Sequence, residues 1–315
     1  MKKENLPLFF SEVEKQLSQI PNEARRLFHG RGRCWEGLDQ LTADWLQGQL
    51  MVSIFKQVDA EFIQHLQQGL LELTQSALWQ EKQGQAIALQ YRYQEGAPTE
   101  VISGQLDSAP VVVENGLKFQ LKLGRNQNTG LFLDMRKGRE WVKEHAQDKR
   151  VLNLFAYTCG FSVAALSGGA KTVVNVDMAR GALDTGRENH KLNQLDLRSA
   201  QFLGHDIFRS WGKINRFGPY DLIIIDPPSF QKGSFALTKD YRRILRRLPE
   251  MLSESGQVLA CVNSPVVGQD FLIESMQEEA PELQFAMRLE NPKEFVDIDQ
   301  DANLKVLIFN RIDAE

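Results

Sequence analysis

The chain has 315 residues, 42% hydrophobic and 25% charged, with a net charge of -4 at neutral pH. That length suggests two domains, or one large domain with an N-terminal elaboration, and the mild acidity excludes a wholly cationic nucleic-acid coat while leaving room for a local basic face. No apolar run nears the roughly 20 residues of a membrane span, the basic start is followed by no cleavable leader pattern, and three scattered cysteines (Cys34, Cys159, Cys261) suit neither a disulfide framework nor a metal knuckle, so a cytoplasmic protein with reduced thiols is expected.

Residues 10–29 carry a helical stripe of Val13, Leu17 and Ile20, with Leu27 and Phe28 beyond a break at Pro21. His29-Gly-Arg-Gly-Arg-Cys34, with Arg25 and Arg26, is a compact basic, glycine-bearing patch, read either as a solvated turn or as a phosphate contact. Segments 38–46 and 50–55 predict strands. From Asp59, a plausible N-cap, the spacing of Phe62, Leu66, Leu70 and Leu73 predicts a helix with a core-facing stripe. Further strands are expected at 78–82 and 86–93, and 111–123 predicts a hairpin turning at Asn115-Gly116, where a type I′ turn needs positive φ. Residues 36–124 therefore read as a small α+β domain, a candidate for substrate or RNA contact, preceded by a helical extension, 1–35.

From residue 125 strand and helix alternate. A helix is expected after Leu131 up to about 145–150, then strands at 151–155, 172–176, 199–203, 221–225 and 257–262. Helices are expected from 162, at 182–193, 240–252 and 269–278, and a closing pair of strands at 283–290 and 304–311. Such alternation implies an α/β domain over 125–315, a Rossmann-like doubly wound sheet with right-handed crossovers. Tyr220-Asp-Leu-Ile-Ile-Ile-Asp226 reads as its buried central strand, ending on an acid, on Pro227 and Pro228 and, after Ser229, on Phe230.

Ligands of open α/β sheets sit outside the carboxyl ends of the strands. The loop after the first strand, Phe155-Ala-Tyr-Thr-Cys-Gly160, turns sharply, and Gly160 fits that need. It lacks the G-x-G-x-x-G pattern, so a dinucleotide cradle is poorly supported. Asp177, after the second strand, stands where an acid accepts from ribose hydroxyls, or else caps the next helix. Asp206, after the third, suits an adenine amino group, and Asp226 follows the fourth. Carboxylates at this spacing repel pyrophosphate but accept from ribose, adenine and ammonium groups, which points to a nucleoside cofactor without phosphate such as S-adenosyl-L-methionine.

Asn128-Thr-Gly-Leu-Phe-Leu-Asp-Met-Arg136, Val151-Leu-Asn-Leu-Phe-Ala-Tyr-Thr-Cys-Gly160, Val174-Asn-Val-Asp177 and Asp226-Pro-Pro-Ser-Phe230 resemble, in order and spacing, the class I methyltransferases of bacterial 23S ribosomal RNA. Both the guanine-N7 enzymes and their cytosine-C5 relatives are similar. The likeness is strongest from about 115 to 264 and does not extend to 1–35. It implies that Phe155, Ala156, Tyr157, Thr158 and Gly160 line the methionine moiety, that Asp177 and Met178 bind the ribose side, and that Asp206 and Ile207 lie by the adenine. It implies too that Arg136 meets the cofactor carboxylate, unless it pairs with Asp134, and that Asp226, Pro227 and Phe230 close the catalytic site.

Cytosine-C5 transfer needs a cysteine thiolate. In the resemblance that cysteine follows the fifth strand, where this chain has Asn263 in Cys261-Val-Asn-Ser264. Cys261 itself reads as a buried strand residue and Cys159 as packing. A ring-nitrogen acceptor such as guanine N7 is thus expected, with cytosine C5, or a protein or small-molecule substrate, as alternatives. Lys232, Arg242, Arg243 and Arg246, joined by Lys239 and Arg247, form a basic stretch read as RNA contact or as a solvated helix face. No metal site is expected: Asp297-Ile-Asp-Gln-Asp301 lacks the glycine and terminal glutamate of a calcium loop.

Overall fold

A computed structural model of the chain describes residues 1–20, 22–124, 128–228, 230–231 and 235–312; of 230, 231, 235 and 236 it describes the backbone alone. Two compact units result, one of 1–134 with 292–299, the other of 135–291 with 300–315.

The first unit opens with α1 (Leu6–Gln19) and builds a five-stranded sheet from β1 (Arg25–His29), β2 (Leu41–Trp45), β3 (Gln49–Ile54), β4 (Ala86–Tyr91) and β5 (Thr99–Gly104), in that spatial order. Neighbours are antiparallel except β3 and β4, whose parallel step is bridged by α2 (Ala60–Thr74) and the short α3 (Ala77–Glu81). A separate hairpin, β6 (Val111–Glu114) and β7 (Leu117–Gln120), turns through Asn115 and Gly116 at φ of 50° and 76°, the left-handed pair the sequence demands. Asp59 Oδ1 accepts from Phe62 N at 2.7 Å, capping α2. A cap is worth about 1 kcal/mol, whereas each of Phe62, Leu66, Leu70 and Leu73 contributes roughly 1.5–3 kcal/mol by burial, so the stripe holds the helix in place.

Three expectations fail in this unit. The helix over 10–29 ends at Gln19, and Arg25–His29 is strand β1. A register shift against β2 between Arg26 and Phe28 buries both Leu27 and Phe28, so adjacent apolar residues that mimic a helical stripe belong to a bulged strand. Of the strand expected over 78–82, residues 78–81 are instead helical in α3, because Ser76 Oγ caps Trp79 N at 3.1 Å. β5 carried no strand signal: it lies along one sheet edge and none of its residues is buried. Segment 1–35 also supplies α1 and β1 to the unit's sheet and core, through Phe9, Val13, Leu17, Leu27 and Phe28, and is no appendage to it. Pro21 lies outside the described residues.

The second unit starts with α4 (Arg136–His145) and alternates β8 (Arg150–Leu154), α5 (Gly160–Ser167), β9 (Thr172–Val176), α6 (Arg180–Leu192), β10 (Ala200–Leu203), α7 (Trp211–Ile214) and β11 (Tyr220–Ile225). A two-residue pair follows, β12 (Phe230–Gln231) and β13 (Phe235–Ala236). Then come α8 (Leu237–Leu245), α9 (Leu248–Met251), β14 (Leu252–Val262), α10 (Asp270–Glu279), β15 (Leu283–Arg288) and β16 (Lys305–Arg311). The helix expected over 240–252 is thus two shorter ones, with Pro249 starting the second.

The seven-stranded sheet has the order β10-β9-β8-β11-β14-β16-β15; its first five strands are parallel and β16 runs antiparallel to both neighbours. From β8 the chain winds outward through β9 and β10, then returns to β11 and β14 on the other side. That reversal makes the carboxyl ends of β8 and β11 the topological switch point, where an open sheet leaves its crevice. Leu222, Ile223, Ile224 and Ile225 are fully buried, as a central parallel strand requires.

Candidate active site

Strand registers bring the expected residues to one edge of the second unit. Ile225 is level with Leu154 and with Ala260, and Leu154 with Val176, which is level with Leu203. With strands ~4.8 Å apart, the five carboxyl ends span roughly 19 Å. Along that edge lie Asp206 after β10, Asp177 after β9, the 155–160 loop after β8, Asp226 after β11 and Asn263 after β14.

The loop after β8 is the most constrained stretch. Phe155, Tyr157 and Cys159 adopt φ of 58°, 47° and 61°, left-handed at alternate positions without a glycine among them. Such residues cost on the order of 1–3 kcal/mol each and persist only where surroundings enforce them. Gly160, expected to make the turn, instead opens α5. The enforcing contacts come from neighbouring elements. Tyr157 N donates to Asp177 Oδ2 at 2.8 Å, Ala156 N to the Val176 carbonyl at 3.1 Å, and Asn189 Nδ2 of α6 to the Thr158 carbonyl at 2.9 Å. Ala156 and Thr158 are buried, Phe155 and Tyr157 half-buried.

Asp177 Oδ1 accepts from Ala179 N at 2.7 Å, so each of its oxygens holds one backbone donor. The capping and ligand-binding readings are therefore compatible, because a carboxylate has about four acceptor positions. Asp206 Oδ1 likewise takes Phe208 N at 2.8 Å, and Ile207 beside it is buried. Met178 is 51% exposed, presenting a thioether surface next to Asp177. Arg136 sits half-buried at the start of α4, which packs on α5.

On the other side of the switch point Asp226 is half-buried, Pro227 buried and Asn263 exposed. Tyr241 of α8 lies behind them, its hydroxyl donating to the Cys261 carbonyl at 3.0 Å and approaching that of Ile225 at 3.4 Å. Burial, followed by the nearby Cys261 and Asp226, pushes the Tyr241 phenol far above its usual range, so it stays a donor. Lys305, fully buried on β16, donates to the carbonyls of Ser264 and Asp301, both at 2.6 Å, and so fixes the segment just after Asn263. Cys261 is fully buried in β14. Cys159 is fully buried too, and burial followed by the Asp177 carboxylate keeps it a thiol.

Lys232 and the ring of Phe230 lie outside the described residues. The four arginines of 242–247, in and just after α8, are placed differently from a free cationic face. Arg242 meets Glu278 and Glu279 of α10, and Arg246 meets Glu279. Arg243 pairs with Asp240 at 2.8 Å and stacks over Phe208 at 4.1 Å, while Arg247 pairs with Glu250 at 3.0 Å. Each charge has a carboxylate within reach, and the face is balanced.

A second set of residues carried no expectation although its signal was present. Asn153 and Asn175 stand inside otherwise apolar strands. Asn153 Nδ2 donates to Asn175 Oδ1 at 2.9 Å, Asn175 Nδ2 to Ser162 Oγ at 3.0 Å, and Ser162 lies 2.9 Å from His190 Nε2, all buried. His190 Nδ1 faces the Gly186 carbonyl at 2.7 Å, which fixes the proton on Nδ1. The chain of donors links β8, β9, α5 and α6 directly beneath the strained loop. Among the described residues no group of three or more His, Cys, Asp or Glu side chains could hold a metal, and no helix is long and apolar enough to cross a membrane. Asp297 and Asp301 go to different units and pair with Arg33 and Arg288.

The donor set suits a nucleoside with an amino-acid tail: carboxylates with spare acceptor positions at two strand ends and a pre-shaped loop between them. A family model described as S-adenosylmethionine-dependent methyltransferase matches residues 25–310. Among curated relatives, a protein of Aeromonas salmonicida named ribosomal RNA large subunit methyltransferase I is 37% identical over 232 residues, 71% of this chain and 57% of that one. A protein of the same name from Aliivibrio fischeri is 37% identical over 166 residues, 51% of this chain and 42% of that one. The chain thus spans about half the length of these relatives. Among solved structures, SMU.776, named a methyltransferase and crystallised with SAH, superposes with a TM-score of 0.83 at 26% identity, covering 96% of this chain and 79% of that one.

Proposed function

The chain belongs to the S-adenosylmethionine-dependent methyltransferase family, and from that premise we propose that it methylates a base of large-subunit ribosomal RNA at a ring nitrogen, guanine N7 being the leading candidate, in the cytoplasm. When bound, S-adenosyl-L-methionine supplies an electrophilic methyl group on a sulfonium. The loop 155–160 holds the methionine part, Asp177 accepts from the ribose hydroxyls with Met178 alongside, Asp206 and Ile207 take the adenine, and Arg136 answers the carboxylate. Asp226, Pro227 and Asn263 orient the target base, with Phe230 as the aromatic of the same motif. Displacement at a methyl group asks mainly for alignment and a fitting electrostatic environment.

One observation carries the preference for nitrogen: the residue at the exposed end of β14 is Asn263, and Cys261 has its side chain fully buried. A ring nitrogen attacks with its own lone pair, whereas carbon 5 of cytosine first needs a thiolate at carbon 6. The relatives' names support the ribosomal substrate. The arginines of 242–247, balanced by acids, are given no RNA contact in this reading.

The test uses RNA from a strain lacking the gene, treated with purified protein and cofactor labelled in the methyl group, then digested to nucleosides and analysed by mass spectrometry. Label in a 7-methylguanosine from 23S RNA is expected. Label in 5-methylcytidine, or none in any RNA, overturns the proposal.

A further inference from the structure

The basic, glycine-bearing patch of 25–34 has no part in the chemistry above, and its structure separates its glycines from its charges. A Cβ on Gly30 would lie 2.0 Å from the Leu38 carbonyl oxygen, and one on Gly32 1.7 Å from that of Val296. The glycines therefore serve close backbone approach, and both are buried. Arg31, between them, is exposed.

The guanidiniums of Arg31 and Arg92 both lie over the Phe55 ring, 4.4 and 5.1 Å from its centroid, and that of Arg26 lies over Phe295 at 4.8 Å. Arg26 is met by Asp44, with Nη2 to Oδ2 at 3.1 Å, and by His29 Nδ1 at 2.8 Å. Burial, then Arg26 and Arg31, pulls His29 down to about 3, so that ring is neutral and adds no charge. Arg25 goes to Glu23 and Glu294, and Arg33 to Asp297. Among the described residues Arg31 has no carboxylate within ion-pair distance. Like charges are collected here: after burial, Arg26 is what lowers Arg31, and Arg31 what lowers Arg92. On a chain of net charge -4 such a like-charge neighbourhood favours an anionic partner.

We propose that Arg31 and Arg92, spread over Phe55, form a phosphodiester-contact site of the first unit for the RNA substrate. A guanidinium laid on an aromatic face keeps its planar fork of donors for phosphate oxygens and is weakly hydrated, which suits it to nucleic acid better than a lysine. The proposal rests on the RNA reading above. Methyl transfer tests that reading and binding tests this one, so the two can fail separately.

Filter binding of radiolabelled 23S RNA transcript is measured across a salt series for the full chain and for Arg31→Ala, Arg31→Lys and Arg31→Ala with Arg92→Ala. Removing one arginine from a phosphate should flatten the slope of log K against log salt by about 1, so the single and double alanine variants should be shallower by about 1 and about 2, and Arg31→Lys should keep most of the slope. Circular dichroism spectra and melting temperatures close to those of the unmodified chain show that the variants fold. Slopes equal to the unmodified chain's overturn the proposal, as does failure of the unmodified chain to bind the transcript. So does competition by inorganic phosphate that the double variant abolishes while RNA binding stays intact, which would mark a small-anion site.

Discussion

The hydroxyl of Tyr241 donates to the carbonyl of Cys261, 3.0 Å away, and stands 3.4 Å from that of Ile225, so one side chain of α8 fastens the ends of β11 and β14 to each other. Asp226 follows Ile225 by one residue and Asn263 follows Cys261 by two. Tyr241→Phe keeps the ring and its packing and removes only this tie. The expected cost is about 1 kcal/mol of stability, with kcat falling and affinity for S-adenosylhomocysteine unchanged, because the cofactor loop lies across the switch point. An unaltered kcat in steady-state methyl transfer would show that the tie does not align the two residues.

Asp177 is asked to hold two backbone donors and a ligand at once. Asp177→Asn leaves one carbonyl oxygen in place of two carboxylate oxygens, so either Tyr157 N or Ala179 N is left without its acceptor and the charge is gone. Loss of a charged hydrogen bond is worth about 1.5–3 kcal/mol, and calorimetric affinity for S-adenosylhomocysteine should drop about tenfold to a hundredfold. A change under about twofold would remove Asp177 from the cofactor site.

His190 gives a pH signature. Burial keeps its pKa below the usual value, against the opposing bond to Gly186, while in the unfolded chain it titrates near 6.5. Its contribution is fully present above about pH 6.5. Below that the unfolded state takes a proton that the folded state refuses, so stability falls with pH at up to about 1.4 kcal/mol per unit until the folded pKa is reached. His190→Gln cannot take that proton, and its melting temperature should depend less on pH below about 6.5 than that of the unmodified chain. Parallel curves would contradict a neutral, buried His190. His29 contributes in the same direction in both proteins and cancels from the comparison.

Cys261→Ala and Asn263→Ala separate the two chemistries. Trimming the buried Cys261 should cost about 1 kcal/mol of stability and leave methyl transfer intact, whereas Asn263→Ala should lower kcat by at least about tenfold with cofactor affinity unchanged. Full loss of transfer in a folded Cys261→Ala protein would revive a covalent route.

Much of the second unit was readable because its strands are apolar runs that stop on acids. Leu222 to Ile225 before Asp226, and Val173 to Val176 before Asp177, give both the element and its functional end. The first unit was harder. A bulge in β1 lays Leu27 beside Phe28 on the buried side, which period counting takes for a helix, and the edge strand β5 buries too little to show alternation. The polar chain from Asn153 to His190 showed in the sequence only as two asparagines within apolar strands. Its members are spread over β8, β9, α5 and α6, and only the fold brings them within 3 Å of one another. Half of the charge balance in 242–247 was also out of sight: Arg243 and Arg247 have acids three residues away, but the partners of Arg242 and Arg246 sit on α10, some thirty residues on.

Residues 292–299 belong to the first unit although both flanks, β15 and β16, belong to the second. During synthesis, then, neither unit is complete until the chain has passed residue 292, although the buried core of the first draws on residues 6–89 alone. The first waits for Phe295 and Asp297, partners of Arg26 and Arg33. The second waits for β16, which slots between β14 and β15 and carries Lys305. A nascent chain stalled before residue 292 would leave β14 and β15 without the strand that joins them and the second core without Leu307 and Phe309, so late ribosomal arrest is where this protein would most depend on chaperones.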